Sequence, residues 1–290
     1  MRVFSKSTNR YLVRALLLAS AAAMSAGACG GGGGDDNDAA VQPPDAPQAP
    51  AEIMIAFDRN GDLYRVDPAT AQATLALDTT YGAVADIGVV SSAFYVTDSS
   101  QLWLGMGGIS ECEACIFTLD ATTGAATLLA ENEPRGLKGI PGLARSPAGG
   151  GLYTSTGNGR TFYYIDPTTG IAQAIGQMGA EGKGAGMTFA ANGTLYAALD
   201  TVLASVDLST GATTQVGIFN GFTDTVPDYA INSMVTYGGA IYGILLDRDA
   251  GVDRTTYLVQ VDITTAAVTS IGALPTSMEG LAVAPGDLLP

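Results

Sequence analysis

The chain has 290 residues, no histidine, and 28 acidic against 13 basic residues, which gives a formal net charge of −15. The lack of histidine excludes Ser-His-Asp and Cys-His nucleophilic sites, His-ligated zinc or haem, and an imidazole general base. The acidic balance argues against a nucleic-acid partner, because duplex binding needs a basic surface that displaces counterions. Any chemistry must therefore use carboxylates, lysine, tyrosine or a metal ion.

The N-terminal segment predicts export. Residues 1–14 contain four basic residues and no acid, and they precede an apolar run, Ala15 to Met24, and a small-residue stretch that ends at Cys29. This order is typical of a secretory signal peptide, and the apolar run is roughly half as long as a membrane-spanning helix. We therefore predict that residues 1–28 are a signal peptide.

The residues before Cys29, Ala26-Gly27-Ala28, resemble a bacterial lipobox, in which the cysteine becomes the lipidated first residue of the mature protein. Ordinary signal peptidase could cut the same bond, since Ala-x-Ala is also its site. The glycine run, acidic cluster and Pro/Ala-rich stretch that follow favour lipidation, because such flexible linkers tether compact domains to their anchors. We predict a linker over 29–50 and membrane attachment through acyl chains only. The glycine that directly follows the cysteine, Gly30, resembles the residue found there in lipoproteins that are sorted to the outer membrane.

From residue 51 onward, short apolar runs alternate with Gly, Asp, Asn and Thr, which indicates an all-β fold. One strand-and-turn unit, an apolar strand that ends in Asp before a Thr-rich turn, occurs five times, at 63–70, 116–124, 162–170, 203–211 and 258–265. Asp and Thr side chains bond nearby amides in such turns. Because a short strand follows each unit, each copy predicts a β-hairpin.

Two more strands precede each hairpin except the first, which has only one. The second strands are predicted at 53–58, 94–98, 152–155, 195–200 and 241–247, and Gly- or Ser-led innermost strands at 88–90, 142–144, 186–189 and 233–235. The first copy lacks an innermost strand, whereas its counterpart, 279–283, stands alone at the C-terminus. A closed ring explains this split, because the C-terminal strand can complete the sheet that the N-terminal strands begin. We predict a five-bladed β-propeller of four-stranded blades over 51–290, closed by pairing 279–284 with 53–58.

The repeat resembles the L-Y-x-I-D-x-x-T-G units of bacterial extracytoplasmic propellers, which include several domain families of unknown function. The resemblance covers residues 52–290. It implies a structural unit in a cell-envelope lipoprotein and implies no particular activity.

Function is expected on the face where the loops between blades and the loops between second and third strands surround the channel. Three excursions, 99–115, 131–139 and 220–230, are expected there. The first contains Trp103, which either stacks on a sugar or aromatic ligand or packs beneath its own loop. The last contains Asp228 and Tyr229.

Three polar residues, Asp86, Asn232 and Glu279, stand at the start of innermost strands and are expected to face the channel. Their oxygens suit a hard cation such as Ca²⁺. Glu279 is similar to the metal-binding glutamate of six-bladed lactonase-like propellers. The alternative is a polar, hydrated channel mouth that holds no ion.

A second candidate Ca²⁺ loop contains Asp247, Asp249 and Asp253, which alternate as oxygen ligands do. Position twelve of this loop is Leu258, where an EF-hand has a bidentate Glu. The alternative is that Asp247, like Asp58, merely ends a second strand.

Cys112 and Cys115 are predicted to form a local disulfide. The compartment is oxidising, and no second Cys-x-x-Cys or histidine completes a zinc site. A turn brings two cysteines at this spacing within bridging range.

These features predict a surface-tethered, monomeric propeller that binds a protein, glycan or small molecule without catalysis. The alternative is a metal-dependent hydrolase or lactonase, with Glu279, Asn232 and Asp86 around the ion and Asp228 as the base. The fold does not decide between them, because propellers host both. A purely structural role in the envelope is a third hypothesis.

Overall fold

The computed structural model describes residues 51–81, 88–97, 99–107, 112–147, 149, 151–156, 161–179, 186–222, 229–247, 254–275 and 277–289. These residues form twenty β-strands in five four-stranded sheets. Within these ranges, no helix has both the length and the apolar character needed to cross a membrane. The predicted signal peptide and linker lie outside the described residues.

Each sheet is one blade. In blades 2 to 5 the strands follow the chain from the innermost to the outermost, whereas the innermost strand of blade 1 is the last strand of the chain. Blade 1 contains β20 (Met278–Pro285), β1 (Glu52–Asp58), β2 (Leu63–Val66) and β3 (Ala73–Leu77). Blade 2 contains β4 (Val90–Val96), β5 (Gln101–Met106), β6 (Cys115–Leu119) and β7 (Ala126–Glu131), and a 3-10 turn, η1 (Glu133–Arg135), follows it. Blade 3 contains β8 (Ala144–Arg145), β9 (Leu152–Ser155), β10 (Thr161–Ile165) and β11 (Ala172–Gln177). Blade 4 contains β12 (Met187–Phe189), β13 (Leu195–Leu199), β14 (Val202–Val206) and β15 (Thr213–Ile218). Blade 5 contains β16 (Tyr229–Tyr237), β17 (Ala240–Asp247), β18 (Thr256–Val261) and β19 (Val268–Ala273).

The C-terminal strand completes the first blade. β20 pairs antiparallel with β1, and Leu281 lies opposite Ala56 while Val283 lies opposite Met54. The predicted closure is therefore confirmed, as is the all-β, five-bladed architecture.

The hydrophobic core is divided into five clusters, one at each contact between neighbouring blades. Successive strand residues point to opposite faces, so Ile55 and Phe57 pack against blade 2 whereas Met54 and Ala56 pack against blade 5. Both faces of each sheet are covered in this way, and the five residues of β13 are all buried. The cluster between blades 5 and 1 is of the same kind as the other four, which leaves no place for a sixth blade.

The repeated aspartate forms the same turn in every blade. One oxygen of each carboxylate accepts a hydrogen bond from the backbone N–H two residues later, for example from Thr168 to Asp166 at 2.7 Å. These bonds favour the charged form and lower the pKa of four of these carboxyls: Asp67, Asp120, Asp166 and Asp262. In Asp207, bonds from the Ser209 and Thr210 hydroxyls lower the pKa even more than the amides do. The predicted turn chemistry is confirmed.

The prediction for blade 2 was wrong at one strand. Residues 94–96 belong to the innermost strand β4, and the second strand is β5, residues 101–106. Phe94-Tyr95 is an apolar-Tyr pair like those in the second strands of blades 3, 4 and 5, which are Leu152-Tyr153, Leu195-Tyr196 and Ile241-Tyr242. The innermost strand of this blade is longer, so that pattern falls at its end.

Candidate ligand site at the mouth of the channel

Three innermost strands contain one extra residue near their start. In β20 the extra residue is Glu279, because Met278 and Gly280 lie opposite consecutive residues of β1. In β16 it is Asn232, and in β4 it is Ser91. Such β-bulges re-aim side chains and occur next to functional sites. Glu279, Asn232 and Ser91 therefore hold equivalent positions in blades 1, 5 and 2.

This equivalence corrects the expected position in blade 2. The innermost strand of blade 2 was predicted to start at Gly88, with Asp86 just before it, but the bulge makes Ser91 the residue equivalent to Glu279. The Ser91 hydroxyl donates to the carbonyl oxygen of Ile140 at 3.2 Å and so links blade 2 to the segment before β8. Asp86 itself lies outside the described residues.

The carboxylate of Glu279 is buried and binds two arginines. Its Oε1 accepts a hydrogen bond from Arg59 Nη1 at 3.0 Å and from Arg254 Nη2 at 2.6 Å. Its Oε2 accepts from Asn232 Nδ2 at 2.8 Å. The Glu279 side chain is only 4% exposed, whereas those of Arg59 and Arg254 are 22% and 20% exposed. We call these four residues the mouth cluster.

The mouth cluster joins blades 1 and 5. Glu279 and Asn232 come from the innermost strands β20 and β16. Arg59 directly follows β1, and Arg254 lies two residues before β18, so both are in connections between second and third strands. Glu279 and Asn232 were predicted to lie close together, and they do. Neither arginine was predicted at this site. The available signal was that connections between second and third strands were predicted on the same face as the starts of the innermost strands.

The charges of the mouth cluster do not favour the cation that the sequence suggested there. Two guanidinium groups against one carboxylate leave one net positive charge. A cation at Glu279 would be repelled by both arginines, and both carboxylate oxygens already accept hydrogen bonds. In the described ranges, no group of three or more Cys, Asp or Glu side chains is arranged to hold a metal ion.

The two arginines use few of their donors on the described residues. A guanidinium has five N–H donors and is always charged in proteins. Arg59 and Arg254 each donate one described bond, to Glu279. The Nε of Arg254 is buried and has no acceptor among the described residues. The cluster therefore has donor capacity left for an anionic or carbonyl oxygen.

Trp103 is not a loop residue. It lies in β5, is 2% exposed, and packs in the cluster between blades 2 and 3. The expected loop position was wrong because residues 94–98 were predicted as the second strand of this blade, whereas that strand is β5. A side chain this deeply buried is core and does not stack on a surface ligand; its Nε1 has no acceptor among the described residues.

Tyr229 is the first residue of β16 and is half-buried. Its ring lies 5.6 Å from that of Phe222, and burial raises the pKa of its hydroxyl. Asp228, the expected base, lies outside the described residues.

The candidate Ca²⁺ loop is described only at its first residue. Asp247 ends β17 opposite Tyr229, and Asp249 and Asp253 lie outside the described residues. At the equivalent position in blade 1, Asp58 accepts bonds from the backbone N–H groups of Asn60 and Asp62 at 2.9 and 3.0 Å. That carboxylate organises its own turn.

Cys112 and Cys115 are joined by a disulfide, with their Cα atoms 5.5 Å apart. The bridge closes the turn that leads into β6. Cys29 lies outside the described residues.

Neither a family model nor a curated protein sequence matches this chain. Among solved structures, the crystal structure of a nidogen/laminin complex matches with a TM-score of 0.52 and 12% identity, covering 81% of this chain and 98% of that chain. Hydrazine synthase from Kuenenia stuttgartiensis matches with a TM-score of 0.40 and 16% identity, covering 62% of this chain and 47% of that chain. The first match shows that the two chains share the propeller fold. The TM-score of the second match is too low to show a shared fold.

Proposed function

We propose that this protein is a non-catalytic, ligand-binding propeller that is exported and held at the bacterial envelope by a lipid on Cys29. The observation that carries the binding role is the mouth cluster, in which charged residues of two blades meet at the start of the innermost strands. Strand bulges, which re-aim Glu279 and Asn232, build this site on rigid elements.

The groups in the mouth cluster suit binding better than catalysis. A general base must lie within hydrogen-bond reach of the proton that it removes, and the Glu279 side chain is only 4% exposed. Both oxygens of Glu279 accept hydrogen bonds from Arg59, Arg254 or Asn232, and arginine does not give up its proton. The hydrolase hypothesis stays a prediction, because its expected base, Asp228, lies outside the described residues.

The fold is compatible with a binding role. The matching propeller belongs to a complex of two proteins, nidogen and laminin. A likeness at 12% identity says nothing about which ligand this chain binds. The proposal of ligand binding therefore depends on the mouth cluster and not on the nidogen/laminin complex.

Replacing Cys29 tests the proposed anchor. We expect Cys29→Ala to move the protein from the membrane pellet to the soluble fraction, because the acyl chains are the only proposed attachment. Gly32→Ala, in the same linker, should stay in the pellet. Immunoblots of fractionated cells measure the difference, and an unchanged pellet for Cys29→Ala would contradict lipidation.

Filling the mouth tests the proposed binding site. The immobilised mature protein is incubated with a small-molecule extract of the cell envelope, washed, and analysed by mass spectrometry for retained compounds. We expect Asn232→Trp, which places a bulky ring beside Glu279, to lose compounds that the wild type retains. Gln260→Trp, an exposed residue near the other end of blade 5, should retain them. Equal retention by both folded variants would overturn the assignment of the site.

A further inference from the structure

We propose that the mouth cluster binds an oxyanion, the carboxylate of a small organic acid, and that Arg59 and Arg254 are the residues that hold it. This inference rests on the proposed function and specifies the ligand chemistry of the same site. Three features of the cluster support it: its net charge, its unused donors and its position across two blades.

The net charge of the four residues of the mouth cluster favours an anion. Glu279 neutralises only one of the two guanidinium groups that contact it. The other positive charge is partly buried, and burying a charge without full compensation is costly. An incoming carboxylate would compensate that charge, whereas a cation or a neutral sugar would not.

The donors suit a carboxylate in particular. Arginine presents a planar fork of N–H groups that matches two oxygens at once, and such charge-assisted pairs are about twice as strong as neutral hydrogen bonds. Each guanidinium donates one described bond to the same oxygen of Glu279, and each is about one-fifth exposed. Within the described part of the chain, the remaining N–H groups of Arg59 and Arg254 donate no bond, which leaves them for a second carboxylate.

Closure of the ring does not require the cluster. Blades 5 and 1 are already joined by their own hydrophobic cluster and by the bond from the Leu281 N–H to Ser233 Oγ at 3.0 Å. Buried ion pairs often contribute little net stability compared with apolar side chains of the same size. In a chain with 28 acidic and 13 basic residues, two arginines on one buried carboxylate are better explained by a ligand.

Glu279 has a separate role in this proposal. Its carboxylate fixes the orientation of both guanidinium groups and occupies part of their donor surface. It therefore competes with the ligand for the same positive charge, and Glu279→Gln removes that competition while keeping an oxygen that can accept from both arginines. This competition predicts opposite effects for the loss of an arginine and the loss of Glu279.

The test is isothermal titration of the mature protein with sodium succinate, sodium acetate and sodium phosphate, with sodium chloride at equal ionic strength as the blank. We expect succinate and acetate to bind. Arg254→Gln and Arg59→Gln should each weaken binding about tenfold or more, because each removes a charged hydrogen-bond donor. Glu279→Gln should strengthen binding about tenfold, because it removes the competing carboxylate. Arg135→Gln, an exposed arginine that donates to the backbone oxygen of Glu131, should bind as the wild type does.

Several results would overturn the proposal. These are an absence of heat with both carboxylates, unchanged affinity in Arg254→Gln, or weaker binding in a folded Glu279→Gln variant. Tighter binding of phosphate than of either carboxylate would overturn the choice of carboxylate. Circular dichroism melts show which variants are folded, and if Glu279→Gln is not, the two arginine variants decide. If carboxylates fail to bind but Asn232→Trp still abolishes compound retention, only the ligand chemistry is wrong; if Asn232→Trp has no effect either, the proposed binding site fails as well.

Discussion

Leu281→Ala should lower the free energy of unfolding by about 2–5 kcal/mol, which is the range for large-to-small substitutions in protein cores. Leu281 lies in β20, is 2% exposed, and packs in the cluster between blades 5 and 1. Removing its side chain leaves a cavity in the contact that closes the ring. Because whole domains are stable by only about 5–15 kcal/mol, this loss is a large fraction of the total.

Urea denaturation followed by circular dichroism measures this effect. Ile218→Ala is the matched control, because Ile218 is an aliphatic residue of the outer strand β15 that is 62% exposed. Its substitution should change the free energy of unfolding by no more than about 0.5 kcal/mol. A loss in Leu281→Ala no larger than that in Ile218→Ala would mean that β20 does not seal the ring.

Gly176→Ala should destabilise the protein by about 1–3 kcal/mol, as overpacking usually does. Gly176 is in the outer strand β11, and a Cβ atom there would overlap the carbonyl oxygen of Thr210 in the turn of blade 4. Because the obstacle is backbone, it cannot rotate out of the way. The blades would have to separate to admit one methyl group.

Gly217 offers a control at the equivalent place between blades 4 and 5. A Cβ atom at Gly217 would lie 3.1 Å from the Cβ of Ala266, with the carbonyl oxygen of Thr265 at 3.5 Å. Gly217→Ala should therefore leave the free energy of unfolding nearly unchanged. Replacing glycine restricts the unfolded chain and stabilises the folded protein by about 0.4–1 kcal/mol, which offsets the cost of the tight contact. Thermal melts of the two variants compare them directly. Similar melting temperatures would refute the close approach at Gly176.

The sequence alone determined the hairpins and the number of blades. The Asp-centred turn depends on hydrogen bonds between residues two or three positions apart, such as those from Thr168 and Thr169 to Asp166, so its signal is complete within a few residues. Closure was also readable, because a four-strand pattern that is divided between the two ends of a chain can be completed only in a ring. The meeting of Glu279 and Asn232 followed from their equivalent places in the repeat.

Only the tertiary structure decided the strand register in blade 2 and the composition of the mouth cluster. Period-two alternation does not reveal how long an innermost strand is, so Phe94 was placed one strand too late and Trp103 was placed in a loop. The arginines meet Glu279 across 220 and 25 residues of chain. Those contacts depend on how far two long side chains reach over bulged strands of different blades, and no local pattern encodes that distance.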